Sequence, residues 1–166
     1  MRLLPVLALA AALVFPTLAE AEVPRVVATI KPIHSLVAAV MGDLGSPALI
    51  VKGGASPHTY SLKPSDAQAI EAADIVFWTG HGLELFLEGA LDTLATGANV
   101  VELADAPGIE LLAIREGGPF EPHKEEAPGA HEEHRADESE LDMHFWLEPG
   151  NAKLMIDAIA AALSQA

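Results

Sequence analysis

The run Arg25-Val26-Val27-Ala28-Thr29-Ile30, followed by Lys31-Pro32-Ile33-His34-Ser35-Leu36-Val37-Ala38-Ala39-Val40-Met41-Gly42, decides the fold. The first part is short and β-branched, as a buried strand is. The second switches to helical spacing after a proline suited to a first turn, and Gly42 stops it. The unit recurs downstream. Ala48 to Val51 predicts a second strand, Ser65-Asp66-Ala67-Gln68 a capping box opening a helix to Ala73, and Asp74 to Thr79 a third strand. Gly80-His81-Gly82 is a turn, Leu83 to Leu94 an amphipathic helix, and Asn99 to Leu103 a fourth strand. Strands alternating with helices imply an α/β fold, a parallel sheet with flanking helices and right-handed crossovers.

Upstream, Met1 to about Ala21 reads as a signal peptide: Arg2 is the positive end, Leu3 to Leu18 the apolar run, and Ala19-Glu20-Ala21 the small-x-small cleavage site. The run is shorter than the roughly 20 residues a bilayer span needs, and Pro5, Pro16 and Thr17 break it. The chain has 166 residues, 51% of them apolar, enough for one packed core. Its formal net charge of -15 argues against nucleic acid as a partner. Without cysteine there is no disulfide framework, no thiolate metal ligand and no lipid-attachment site after the signal peptide. The expected product is soluble, periplasmic and not lipid-anchored.

Downstream, from about Arg115 to Glu140, periodicity gives way to Gly, Pro, Glu and His, including His123, His131 and His134, and a disordered acidic loop is expected. Those histidines form a loose tract among carboxylates that can capture a divalent cation without fixed geometry; a solvated charge run is the equal alternative. Order resumes at Leu141. From Pro149 to Gln165 a helix is expected, apolar on nearly every side between Leu154 and Leu163 and so expected to be buried all round. The rest of the chain can hardly cover such a helix, so the sequence reads as cut off before a second half.

Two histidines are presented by their surroundings. Gly53-Gly54-Ala55-Ser56-Pro57-His58-Thr59-Tyr60 sets His58 on a sharp turn beside a fixed dihedral. In Asp142-Met143-His144-Phe145-Trp146-Leu147-Glu148-Pro149, strand alternation puts Asp142, His144 and Trp146 on one face. Met143, Phe145 and Leu147 are then core, and Asp142 stands close enough to support a ligating imidazole. In a parallel α/β sheet ligands gather beyond the carboxyl ends of the strands, where His58, His81 and the loop to His144 fall. The alternative for each histidine is one satisfied within a turn or the core, and this alternative leads for His81, between two glycines, and for His34 near a helix start. No Gly-x-Ser-x-Gly elbow, phosphate-binding glycine loop or His-Glu-x-x-His helix is present. An enzyme would have to use His58 and His144 as a hydrolytic zinc site with a nearby glutamate as base.

Five stretches together carry a resemblance. They are Gly54 to Asp66 (GASPHTYSLKPSD), Ala73 to Gly80 (ADIVFWTG), Gly82-Leu83-Glu84, the acidic histidine-containing insertion, and Asp142 to Pro149 (DMHFWLEP). This chain is similar to the first half of the zinc-binding periplasmic solute-binding proteins of metal ABC importers. The resemblance implies two α/β lobes joined by a long helix, with residues 22–148 as the N-terminal lobe and 149–166 as the start of that helix. It also implies a monomer that binds Zn2+ between the lobes and delivers it to a membrane permease without catalysis. His58 and His144 receive metal-ligand roles, His123, His131 and His134 a capturing role, and His81 none. A further histidine and carboxylate of the second lobe have no counterpart. The histidine-containing insertion favours zinc over manganese, since imidazole suits zinc while carboxylate and water suit manganese. A manganese or iron importer component, a secreted zinc hydrolase and a stand-alone metal buffer are the alternatives.

Overall fold

The computed structural model describes residues 22–115 and 141–166. The expected signal peptide and the expected acidic loop, with His123, His131 and His134, lie outside the described residues. A four-stranded parallel sheet has the order β2-β1-β3-β4, with β1 at Val26–Ala28, β2 at Ala48–Leu49, β3 at Ile75–Trp78 and β4 at Asn99–Glu102. Val27 pairs with Ala48 on one side and Val76 on the other, and Val76 in turn with Val100. Every residue of β1 and β3 is buried, as a parallel strand covered on both faces requires. After β2 the chain keeps bonding to β1: Val51 N–H donates to the Thr29 carbonyl at 2.8 Å.

Helix α1 (Lys31–Met41) buries Ile33, Val37 and Met41, one stripe at helical spacing, with Pro32 in its first turn. Helix α2 is Pro64–Glu71, not a helix opened by Ser65. Its cap is made by Asp66, whose carboxylate accepts the Lys63 N–H at 3.1 Å. At the strand's far end Asp74 pairs with exposed Arg25 at 2.6 Å, which holds the Asp74 carboxyl down to about 2.

The amphipathic helix expected over Leu83 to Leu94 is much shorter: α3 is Ala90–Leu94. Two features stop the helix from extending upstream. Gly89 takes φ +69°, a left-handed conformation that interrupts the helix. Glu84 is fully buried, and its carboxylate accepts the Thr79 N–H at 2.7 Å and the Thr79 hydroxyl, drawing residues 83–89 into turns beside β3. Leu83, Leu87 and Leu91 still enter the core.

A second, antiparallel pair was not foreseen: β5 (Leu112–Ala113) with β6 (Leu141–Asp142), in the register Leu112 to Asp142 and Ala113 to Leu141. Helix α4 (Pro149–Leu163) follows, capped by Glu148, which accepts the Asn151 N–H at 2.6 Å. Contrary to expectation it is not buried all round. Asn151, Met155, Ile159 and Ala162 form one buried stripe on a helix that packs against α1 and β3, while Ile156 is 38% exposed. Among the described residues no helix is long and apolar enough to cross a membrane.

Candidate metal centre

The loop carrying His58 is anchored at both ends. At its start the Lys31 ammonium, from the first turn of α1, donates to the Gly53 carbonyl, where the backbone turns with φ +66°. At its end the half-buried Tyr60 hydroxyl reaches the buried Asp66 carboxylate at 2.8 Å, with the Ile50 carbonyl at 3.3 Å. Burial, then the Asp66 bond, raises the Tyr60 hydroxyl above its ordinary pKa, so it stays a donor. The Tyr60 ring packs edge-on against Phe86, with centroids 5.1 Å apart. Between these anchors Pro57–Thr59 makes one 3-10 turn, and His58 is exposed on it.

His144 follows β6. Alternation holds only as far as Phe145: Met143 and Phe145 are buried as expected, but Leu147 is 74% exposed. The reason is a change of period, since Phe145–Leu147 is a 3-10 turn rather than strand. Buried Asn151 fixes that turn. Its amide donates to the Phe145 carbonyl at 3.2 Å and to the Glu110 carbonyl at 2.9 Å, while its oxygen accepts the Glu110 N–H at 3.0 Å. The Asp142 carboxylate touches His144 twice, at the backbone N–H (3.0 Å) and at Nδ1 (2.7 Å). These contacts, the backbone one first, lower the Asp142 pKa below the ordinary carboxylate range.

The two loops bring His58 and His144 together. Their ring centroids lie 5.4 Å apart with planes inclined at 39°, and Trp146 stands 5.2 Å from His144. With zinc–nitrogen bonds of about 2.0–2.1 Å, an imidazole centroid stands roughly 3 Å from the metal, so two ligands at a tetrahedral angle have centroids roughly 5 Å apart. The observed separation suits one shared ion. Both histidines line a cleft of about 310 Å³ walled by Ile30, Val51, Pro57 and Trp146. Among the described residues no group of three or more histidines, cysteines or carboxylates is gathered to hold a metal. Two imidazoles at this spacing offer two of the four positions of a tetrahedral shell.

His81 is not brought to this pair. It lines a different cleft, of about 650 Å³, with Trp78, Glu88 and Glu102. Its Nδ1 is 3.5 Å from Glu88, its Nε2 4.0 Å from Glu102, and its ring packs edge-on against Trp78 at 5.0 Å. His34 donates through Nε2 to the Pro47 carbonyl at 3.0 Å, a satisfied histidine.

Sequence reasoning missed the parts that set the loops in place: Lys31 on Gly53, Glu84 on Thr79 and Asn151 on Phe145. Only the short spacing of Tyr60 and Asp66, astride a helix start, could have signalled one of the anchors.

The model of the family described as zinc-uptake complex component A, periplasmic, matches residues 26–166. The chain belongs to this zinc-uptake component A family. It is 46% identical over 161 residues to the high-affinity zinc uptake system protein ZnuA of Brucella abortus (strain 2308), covering 84% of this chain and 48% of that one. With the ZnuA of Paracoccus denitrificans it shares 43% identity over 102 residues, 61% of this chain and 31% of the relative. The chain spans about half the length of the curated relatives it matches first. Among solved structures, the Mn-bound periplasmic metal binding protein from candidatus liberibacter asiaticus superposes with TM-score 0.64 at 24% identity, covering 85% of this chain and 45% of that one. Zn(II)-bound AdcA from Streptococcus pneumoniae gives 0.62 at 24%, covering 86% and 26%. At that identity the likeness is one of fold, and the fold is the parallel sheet with flanking helices expected from the sequence.

Proposed function

We propose that this chain binds zinc in the periplasm and takes part in delivering it to the permease of an ABC importer, with His58 and His144 as two of the metal's ligands. The observation that carries the reading is the 5.4 Å approach of these two imidazoles from loops that follow β2 and β6, far apart in the sequence. Family membership supports it, because the curated relatives are named as zinc uptake proteins. Two imidazoles also favour zinc over manganese, which prefers carboxylate and water.

In this reading the protein is a carrier and not an enzyme. It acts as a monomer after loss of residues 1–21, without membrane insertion. The stretch holding His123, His131 and His134 captures zinc for the site, and α4 begins a helix linking two lobes.

The test is equilibrium dialysis of the protein against zinc and manganese, both supplied at about 0.1–1 mM, with the bound metals counted by mass spectrometry. Zinc bound to the unaltered chain and lost from the His58→Ala, His144→Ala double variant is the expected result. Manganese in its place, or zinc bound undiminished by the double variant, overturns the assignment.

A further inference from the structure

His58 and His144 are held in different ways. One oxygen of Asp142, Oδ1, lies 3.0 Å from the His144 backbone nitrogen and 2.7 Å from Nδ1. An ionised carboxylate can only accept hydrogen bonds, so at the 2.7 Å contact the proton belongs to Nδ1. A neutral imidazole carrying that proton has its lone pair on Nε2. The backbone that carries the carboxylate is held, because Asp142 is a ladder residue of β6 paired with Leu112. His58, by contrast, has no hydrogen-bond partner among the described residues. Its ring faces that of His144.

The geometry points to Asp142 as a positioning residue that sets the tautomer of His144, making Nε2 of His144 the preformed ligand and His58 the ligand that adjusts. The inference rests on the zinc reading of the pair. Metal entering the cleft then meets one imidazole already aimed and in the right tautomer. The second, whose ring has no hydrogen bond to hold it, turns about its side-chain bonds to complete the contact. Carboxylates behind ligating histidines in this way typically account for about 10- to 100-fold in metal affinity.

The test uses the full chain and two readouts. The first is metal-free: two-bond proton–nitrogen correlation spectra of the histidine rings at about pH 8, where free imidazole is neutral. The expected result is Nδ1–H with a bare Nε2 at His144 and a tautomer mixture at His58. Asp142→Ala should turn His144 into a mixture, and Asp142→Asn, whose amide oxygen still accepts, should restore Nδ1–H. The second readout is zinc affinity by titration, weakened about 10- to 100-fold in Asp142→Ala and largely recovered in Asp142→Asn.

A proton on Nε2 of His144 in the unaltered protein would overturn the inference. So would an Asp142→Ala variant with unchanged tautomer, or with a changed tautomer and unchanged affinity. If the unaltered chain binds no zinc but shows the expected tautomer, the zinc reading of the pair falls and the Asp142 assignment is supported.

Discussion

The imidazoles of His58 and His144 lie 5.4 Å apart, although one follows β2 and the other β6. Neither ring is buried, and each is carried on a 3-10 turn or at its edge rather than in the core. The energy that brings them together resides elsewhere, in Lys31 on Gly53, Tyr60 on Asp66 and Asn151 on Phe145. His58→Ala and His144→Ala should therefore each unfold in urea within about 0.5 kcal/mol of the parent. A loss of several kcal/mol would make the histidine a core residue instead of a ligand.

Glu84 gives the opposite expectation. Burial pushes its carboxyl pKa up, opposed by the hydrogen bonds from the Thr79 hydroxyl and backbone N–H. Because the folded pKa lies above the unfolded one, folding favours the protonated form. Stability should fall as pH rises from the ordinary glutamate range through the folded value. Glu84→Gln, which keeps an acceptor without the charge, should remove that slope. Glu84→Ala, which orphans the Thr79 donors, should cost about 1–3 kcal/mol. Urea unfolding from pH 4 to 8 checks both, and a flat profile in the parent would contradict the first.

For Arg25 and Asp74 the sign reverses. The Asp74 carboxyl is held at about 2 by the guanidinium and the Arg25 backbone N–H, so its contribution to stability is present above the ordinary carboxylate range and lost as pH falls toward 2. Carboxyl NMR titration should find Asp74 well below the other aspartates, and Arg25→Ala should move it back toward about 4. An Asp74 that titrates normally in the parent would remove the pair from the account. Both side chains are exposed, so little change in stability is expected at neutral pH.

The β5–β6 pair makes a fourth prediction. Ala113 lies opposite Leu141, so the ends of residues 114–140 already stand side by side. Replacing that stretch by a short Asn-Gly turn should leave circular dichroism and the approach of His58 to His144 intact, since closing a shorter loop costs less entropy. Loss of helical signal on unfolding the shortened protein at lower urea than the parent would mean that the stretch supports the lobe.

Much of the lobe was legible in the sequence. Ile75-Val76-Phe77-Trp78 read as a buried strand because an apolar run of that length between turn residues has few other uses, and all four side chains are buried. His58 was conspicuous because Gly53, Gly54 and Pro57 restrict the backbone around it. What was not legible depends on distant partners. Glu84 in a helical pattern reads as a solvent-facing residue, and only the Thr79 donors at the end of β3 account for its burial. Leu112 and Ala113 make a strand only because Leu141 and Asp142 return beside them, a pairing too short to leave a periodic trace. Leu147 followed an alternation that the 3-10 turn interrupts one residue after His144.

Zinc titration of this chain, followed by calorimetry against the His58→Ala, His144→Ala double variant, tests the central claim most directly. Complete four-ligand zinc sites are worth about 10–16 kcal/mol, so two imidazoles sharing the load evenly supply about 5–8, a dissociation constant between roughly 0.2 mM and 1 μM. One event in that range is expected at the histidine pair, and the double variant should lose it. Binding of equal strength and stoichiometry in the double variant would contradict it.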